Sequence, residues 1–366
     1  MSQILMNDFR AEPERLKRAM RAAFDEVLES GWYILGKRLE RFEEKWAQEC
    51  GVARCVGVAN GLDAIEIALR VCGIGPGDEV ITTPMTAFAT ALAVLRVGAT
   101  PRFADIDPDT ALLSVASARA LIGPKTRAII PVYLYGQLRE PEAWVELCDQ
   151  HGLELIEDCA QAHLASVGGR IAGSFGKAGA YSFYPTKNLG ALGDAGALVT
   201  DDLELADKAA RFRNYGQSLR YHHPDLGQNS RLDEVQAAIL DVRLGWLHTQ
   251  TDRRREIAAR YSAEISNPAI RLLAPPTERD AHVYHLYVIA CETRDALQAH
   301  LEQAGIQTHI HYPIIVPDQP PCAAQDSDAV PHARQHAATC LSLPIHPGLD
   351  EEAVSRVVAA VNMFGQ

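Results

Sequence analysis

A chain of 366 residues is too long for one small core, and its 47% hydrophobic and 22% charged content is that of an ordinary globular protein. The net charge of −12 argues against nucleic acid or an anionic membrane as the main partner, because either needs a concentrated basic surface. The eight cysteines form no Cys-x-x-Cys pair and no zinc-like spacing, the N-terminus has no signal pattern, and no apolar run approaches ~20 residues. A cytoplasmic protein with free thiols, no metal and no membrane span is expected.

Short apolar runs at residues 55–59, 79–82, 102–106, 128–132, 154–158, 178–183 and 197–200 read as strands. Most are continuously apolar rather than alternating, as strands covered on both faces should be. Amphipathic stretches at 63–71 and 140–151 lie between them. The alternation implies an α/β layer fold with a mainly parallel sheet, whose ligands bind at the carboxyl ends of the strands. Past about residue 200 the pattern changes to two long helical stretches, 203–215 and 232–260. A smaller α+β segment follows, with a strand at 283–290 and helices at 293–304 and 350–363. The expected division is a large domain over 1–245 and a small C-terminal domain over 246–366. The proline-rich loop at 311–328 is long enough to form a lid or wall.

Three segments carry chemistry. Ala59-Asn-Gly-Leu-Asp63 follows a strand and opens a helix. It reads either as a helix capped by Asn60 or as an anion cradle, with Gly61 allowing close backbone approach. Gly73-Ile-Gly-Pro-Gly77 reads as a turn, since no helix follows it. Glu154-Leu-Ile-Glu-Asp-Cys-Ala-Gln161 brings an acidic pair to the end of its strand, and Ala180-Tyr-Ser-Phe-Tyr-Pro-Thr-Lys187 ends another strand in a lysine. An Asp and a Lys at neighbouring strand ends suit pyridoxal phosphate: the amine condenses with the aldehyde and the carboxylate holds the pyridine nitrogen protonated. Taken by themselves, the same two residues read more readily as a structural ion pair.

These segments, with Ser30-Gly-Trp-Tyr-Ile-Leu-Gly36, Gly75-Pro-Gly-Asp-Glu-Val-Ile81, Gly193-Asp-Ala-Gly196, Arg213-Asn-Tyr-Gly216, Gln228-Asn-Ser-Arg-Leu-Asp-Glu-Val-Gln-Ala-Ala238 and Ser342-Leu-Pro-Ile-His-Pro-Gly-Leu349, resemble the DegT/DnrJ/EryC1/StrS family of nucleotide-sugar aminotransferases. The resemblance implies the aspartate-aminotransferase fold (type I), with a seven-stranded sheet, and a homodimer with shared sites. It implies that Lys187 carries the cofactor and shuttles the proton, that Asp158 meets the pyridine nitrogen, and that Gln161 meets the ring oxygen. Ser182 and the Gly61 and Leu62 amides are implied at the cofactor phosphate, joined there by Asn229 from the neighbouring subunit.

Two positions depart from the family pattern. The aromatic residue expected over the cofactor ring aligns with Ala87, so Phe88 is expected to take that place. The usual second histidine of the His-Tyr-Pro segment is missing after His311, Tyr312 and Pro313. His311, Tyr312 and Arg220 are nevertheless expected at the sugar nucleotide. Leu62 and the Gln161-Ala-His163 segment resemble members that aminate carbon 3 of dTDP-linked 3-keto-6-deoxy sugars, with L-glutamate as donor. Carbon-4 amination and a regulatory protein that binds the cofactor without turnover are the alternatives.

Overall fold

The apolar runs become strands because only a sheet with helices on both faces removes both of their sides from water. The computed structural model describes residues 3–322 and 330–365. Helices α1 (Glu14–Ser30) and α2 (Lys37–Cys50) come first. Then follow β1 (Arg54–Val58), α3 (Gly61–Val71), β2 (Glu79–Thr82), α4 (Phe88–Arg96), β3 (Thr100–Phe103), α5 (Val115–Leu121), β4 (Thr126–Ile130), α6 (Pro141–His151) and β5 (Glu154–Asp158). A small hairpin, β6 (Ser166–Val167) and β7 (Arg170–Ile171), leads to β8 (Ala178–Ser182), β9 (Gly196–Thr200), α7 (Leu203–Phe212) and α8 (Glu234–Glu264). The last elements are β10 (Arg271–Leu272), β11 (Tyr287–Ala290), α9 (Arg294–Gln303), α10 (Pro331–Thr339), β12 (Cys340–Leu343) and α11 (Glu351–Met363).

Seven strands form one sheet in the order β1-β9-β8-β5-β4-β2-β3. Only β9 runs against its neighbours; the β8, β5, β4, β2 and β3 pairings are parallel. One face buries Phe42, Trp46, Tyr181 and Phe183; the other buries Ile65, Ile67, Leu69 and Val94. Several expected strands are displaced toward the C-terminus of the observed ones. The chain stays extended past the regular ladder there, as at the single bridges of Ile106 with Leu113 and Val132 with Asp158.

The expected boundary at 245 falls inside α8. The first half of α8 packs on α1 and α2 and carries Leu240, Leu244 and Leu247 into the core of the large sheet. Its second half carries Ile257, Ala258 and Tyr261 into a separate core with the antiparallel sheet β10-β11-β12 and helices α9 and α11. Ile4 bridges Ile306 and lies in that second core, so the first residues pack with the C-terminal unit. Strand β11 begins later than expected because residues 283–286 are bound to the large domain, Val283 N–H donating to Gly136 O at 2.9 Å. The end of the proline-rich loop, 323–328, lies outside the described residues. None of the described helices is long and apolar enough to cross a membrane.

Candidate active site

The acidic pair at the end of β5 is split by the pleat, which sends neighbouring side chains to opposite faces. Glu157 points into the protein and accepts from Tyr133 Oη (2.8 Å) and from the Gly173, Phe175 and Gly176 amides (2.8, 2.8 and 2.7 Å). Its role is to hold the 173–176 loop. Asp158 points the other way, into a cleft of about 430 Å³ that it shares with Lys187, Gln161, Ser182, Gly61 and Ala87. Thr90 Oγ1 donates to one Asp158 oxygen at 2.8 Å and the Ala160 amide to the other at 3.1 Å. Burial pushes the Asp158 carboxyl above its usual range, against the lowering effect of these donors and of Lys187.

Lys187 closes the turn after β8, its amide donating to Tyr184 O at 2.8 Å. Lys187 and Asp158 form no contact ion pair: Thr90 and Ala160 orient the carboxylate, which keeps free lone pairs, and Lys187 meets it only as a charge across the cleft. Burial lowers the Lys187 pKa to about 8, against the opposing pull of Asp158. His163, His285 and His311 all lie within reach of the Lys187 charge. Burial first, and nearby positive charge second, keeps these rings neutral, with His163 at about 3 and His311 at about 4.

A test follows from the sign of that shift. Below about pH 8 Lys187 is an ammonium and unreactive; above it the free amine is exposed to the cleft. In the cofactor-free protein its acylation rate, read by peptide mass mapping, should rise through pH 8 and level off. A rate still climbing beyond pH 10, as for a solvated lysine, would contradict it.

The opposite end of the cleft is built for an anion. Asn60 caps α3, its Oδ1 accepting from the Asp63 amide at 2.8 Å, so the cap and the cradle are the same structure. The first-turn amides of Gly61 and Leu62 have no intrahelical acceptor. Two glycines make the approach possible. A Cβ on Gly61 would lie 2.7 Å from Ser182 Cβ, and one on Gly196 would lie 2.3 Å from the Asn60 carbonyl carbon. Gly196 pairs with both Val58 and Ser182, which brings the ends of β1 and β8 to the same place.

Phe88, expected over the cofactor ring, does not line the cleft. Ala87 lines the cleft, whereas Phe88 packs with Met85, Phe103 and Leu112 in an apolar cluster. Phe88 opens α4, and its side chain is drawn to the larger apolar contact. Gln161 is buried, accepts from the Tyr135 amide at 2.6 Å, and donates from Nε2 to Tyr312 Oη at 3.3 Å. His311 sits beside it with Nδ1 2.8 Å from Ser342 Oγ. Arg220 and Asn229 do not line the cleft of their own chain. Both are exposed, Arg220 resting on the Tyr221 ring at 5.1 Å. Ser230, next to Asn229, bonds to Asp63 at 2.7 Å and so ties that segment to the start of α3.

Thr90 lines the cleft, and Tyr135 bonds to Gln161 there; neither is given a role by the sequence alone. For Thr90, a hydroxyl in the first turn of a helix after a strand is a usable sign. Tyr135 has no such local pattern. Asn188 and His285 meet at 3.3 Å although nearly a hundred residues separate them in the chain.

The model of the DegT/DnrJ/EryC1/StrS aminotransferase family matches residues 14–362. A protein of Geobacillus stearothermophilus named pleiotropic regulatory protein is 44% identical over 98% of both chains. The dTDP-3-amino-3,6-dideoxy-alpha-D-galactopyranose transaminase of Aneurinibacillus thermoaerophilus is 45% identical, again over 98% of both. The crystal structure of S. venezuelae DesV in complex with a ketimine intermediate is 43% identical and superposes with a TM-score of 0.95 over 99% of this chain and 98% of that one. The chain belongs to the DegT/DnrJ/EryC1/StrS aminotransferase family.

Proposed function

We propose, from this membership, that the protein uses pyridoxal 5'-phosphate to move an amino group from L-glutamate to a nucleotide-linked keto sugar, at carbon 3 of a dTDP-3-keto-6-deoxyhexose. The observation that carries the reading is Lys187, with its pKa lowered to about 8, facing the buried Asp158 across one cleft. The residues fit the cofactor. The Gly61 and Leu62 amides and Ser182 form a cradle that a side chain at position 61 would fill. Asp158 presents a buried carboxylate for a ring N–H, and Ala87 leaves room over the ring face.

Bound pyridoxal phosphate supplies an aldehyde that takes the amino group and a protonated ring that spreads the electron pair left by proton removal. Lys187 carries the proton between the donor carbon and its destination, which its lowered pKa permits near neutral pH. Asp158 keeps the ring nitrogen charged. Thr90 and the Ala160 amide hold Asp158 in place. Gln161 offers an amide N–H toward the cleft, and Tyr312 stands against it.

The sugar class is supported by the Aneurinibacillus relative, whose name is that of a dTDP-amino-sugar transaminase. The Geobacillus relative of similar identity carries a regulatory name, so turnover itself is the discriminating measurement. Purified protein given L-glutamate alone should release one equivalent of 2-oxoglutarate per bound cofactor. Addition of dTDP-3-keto-6-deoxyhexose should then yield the amino sugar by mass spectrometry. A protein that binds the cofactor and releases no keto acid would be a regulator.

A homodimer with shared sites completes the proposal. Leu219, Tyr221 and Leu226 are 73%, 82% and 95% exposed in the loop that precedes Asn229, and Trp32 is 62% exposed. Large apolar side chains this exposed are what an interface would cover. Asn229 then reaches the partner's cofactor phosphate, and Arg220 the partner's sugar nucleotide. Mixing Lys187→Ala chains with Asn229→Ala chains provides the check. Randomly mixed dimers should recover about a quarter of wild-type activity, since half are mixed and each has one intact site. No recovery would place Asn229 outside the partner's site.

A further inference from the structure

Tyr135 connects more of the site's polar contacts than any role proposed above requires. It lies in the turn at 134–136 after β4, with a left-handed backbone (φ 63°) that a tyrosine adopts only where its surroundings hold it. That turn aims the Tyr135 amide at Gln161, whose Oε1 accepts at 2.6 Å. Gly136 beside it packs so closely that a Cβ would lie 2.8 Å from the Gln161 carbonyl oxygen. The Tyr135 hydroxyl lies 2.6 Å from the His311 carbonyl oxygen and 2.9 Å from His336 Nε2.

A phenol has one proton, and a carbonyl oxygen only accepts. The Tyr135 proton therefore goes to His311, which leaves the other contact to be donated by His336. His336 must carry its proton on Nε2, with Nδ1 a bare lone pair. That atom is buried and has no hydrogen-bond partner among the described residues. Charging the ring would put an N–H at this unpartnered position. Burial, with the Arg271 charge second, accordingly holds the His336 pKa down to about 4. The donors run in one direction, from His336 N–H to Tyr135 O–H to His311 C=O.

We infer that Tyr135 and His336 are positioning residues for this site. The Tyr135 amide fixes the rotation of the Gln161 side chain so that its NH₂ group faces the cleft, and the His336–Tyr135 relay anchors the 311–312 segment that sets Tyr312 against that group. A flipped Gln161 would present an oxygen to an oxygen-bearing ligand. The inference rests on the cofactor reading for what Gln161 faces, while the relay itself stands on the protein alone.

Three variants and two readouts test it. Tyr135→Phe removes only the hydroxyl, His336→Leu removes the donor, and His336→Gln keeps an N–H donor in its place. In ¹⁵N-histidine spectra of the cofactor-free protein, the His336 signal should be that of a neutral ring protonated at Nε2. A ring protonated at Nδ1 would overturn the relay, whether or not the cofactor binds. In the holoenzyme, the pH midpoint of the cofactor's visible band reports the donors around its ring oxygen. Tyr135→Phe and His336→Leu should move it by about one pH unit, the size of one altered hydrogen bond, and His336→Gln should restore it. Midpoints unchanged in both disabling variants would overturn the positioning role. A wild-type protein with no visible band would instead sink the cofactor reading and leave the relay to the histidine spectra.

Discussion

Replacing Lys187 by alanine is expected to abolish transamination and the visible absorbance of bound cofactor while leaving the fold intact. Lys187 is half-buried as a residue, its amine is desolvated, and it lies within reach of the Asp158 charge without pairing with it, so its loss removes a burial penalty rather than a stabilising contact. On the proposed reading, what disappears is the group that would attach the cofactor and a base that would move the proton. Positioned acid–base groups contribute roughly 10²–10⁴-fold, and loss of the covalent route adds to that, so a fall of at least about four orders of magnitude is expected. Single-turnover kinetics with L-glutamate, with circular dichroism as the control for folding, measures it. A variant that keeps the band, or turns over within tenfold of wild type, would remove the basis of the proposed function.

Asp158→Asn should produce the next largest effect, because it keeps the shape and removes the charge. The present carboxylate accepts from Thr90 at 2.8 Å and from the Ala160 amide at 3.1 Å, and both donors suit an anion. An asparagine keeps one acceptor and turns an NH₂ group toward a donor or toward the ring nitrogen. The ring is then no longer held protonated at the point where negative charge develops. Preorganised charge of this kind contributes about two to three orders of magnitude in kcat, and that loss is expected here. KM for glutamate should change much less, since on the proposed reading Asp158 would face the ring nitrogen rather than the donor. If kcat fell by less than about threefold, the ring nitrogen would not be the partner of Asp158.

The two predictions also mark where sequence reasoning stopped. Asp158 stands out because it ends an apolar strand and Lys187 because it closes the turn after one, and ends of parallel strands are where such sheets bind ligands. Local chemistry could not say whether the two form an ion pair or face each other across a space. The tertiary structure decides that: Thr90 and Ala160 orient the carboxylate, and Lys187 stands across the cleft from it. In the same way, the split of Glu157 from Asp158 follows from the pleat alone, yet the loop that satisfies Glu157 had to be seen.

Elements, their order and the anion cradle were legible because they depend on neighbours within a turn or two: apolar periodicity, the Asn60 cap, the glycine after it. The small sheet was only partly so, since β10 and β12 are short strands that owe their form to β11 and to the core around it. Phe88 and Ala87 differ by one residue in the chain, but an apolar cluster formed with Met85, Phe103 and Leu112 drew the phenylalanine away from the cleft. Tyr135, His336 and Gln161 come from three separate parts of the chain and carry no spacing that links them. The residue-by-residue pattern determined which strands and helices exist and which side chains stand at their ends. Only the tertiary packing of distant segments decided which of those side chains meet, because burial area and hydrogen-bond geometry between them are properties of the closed structure.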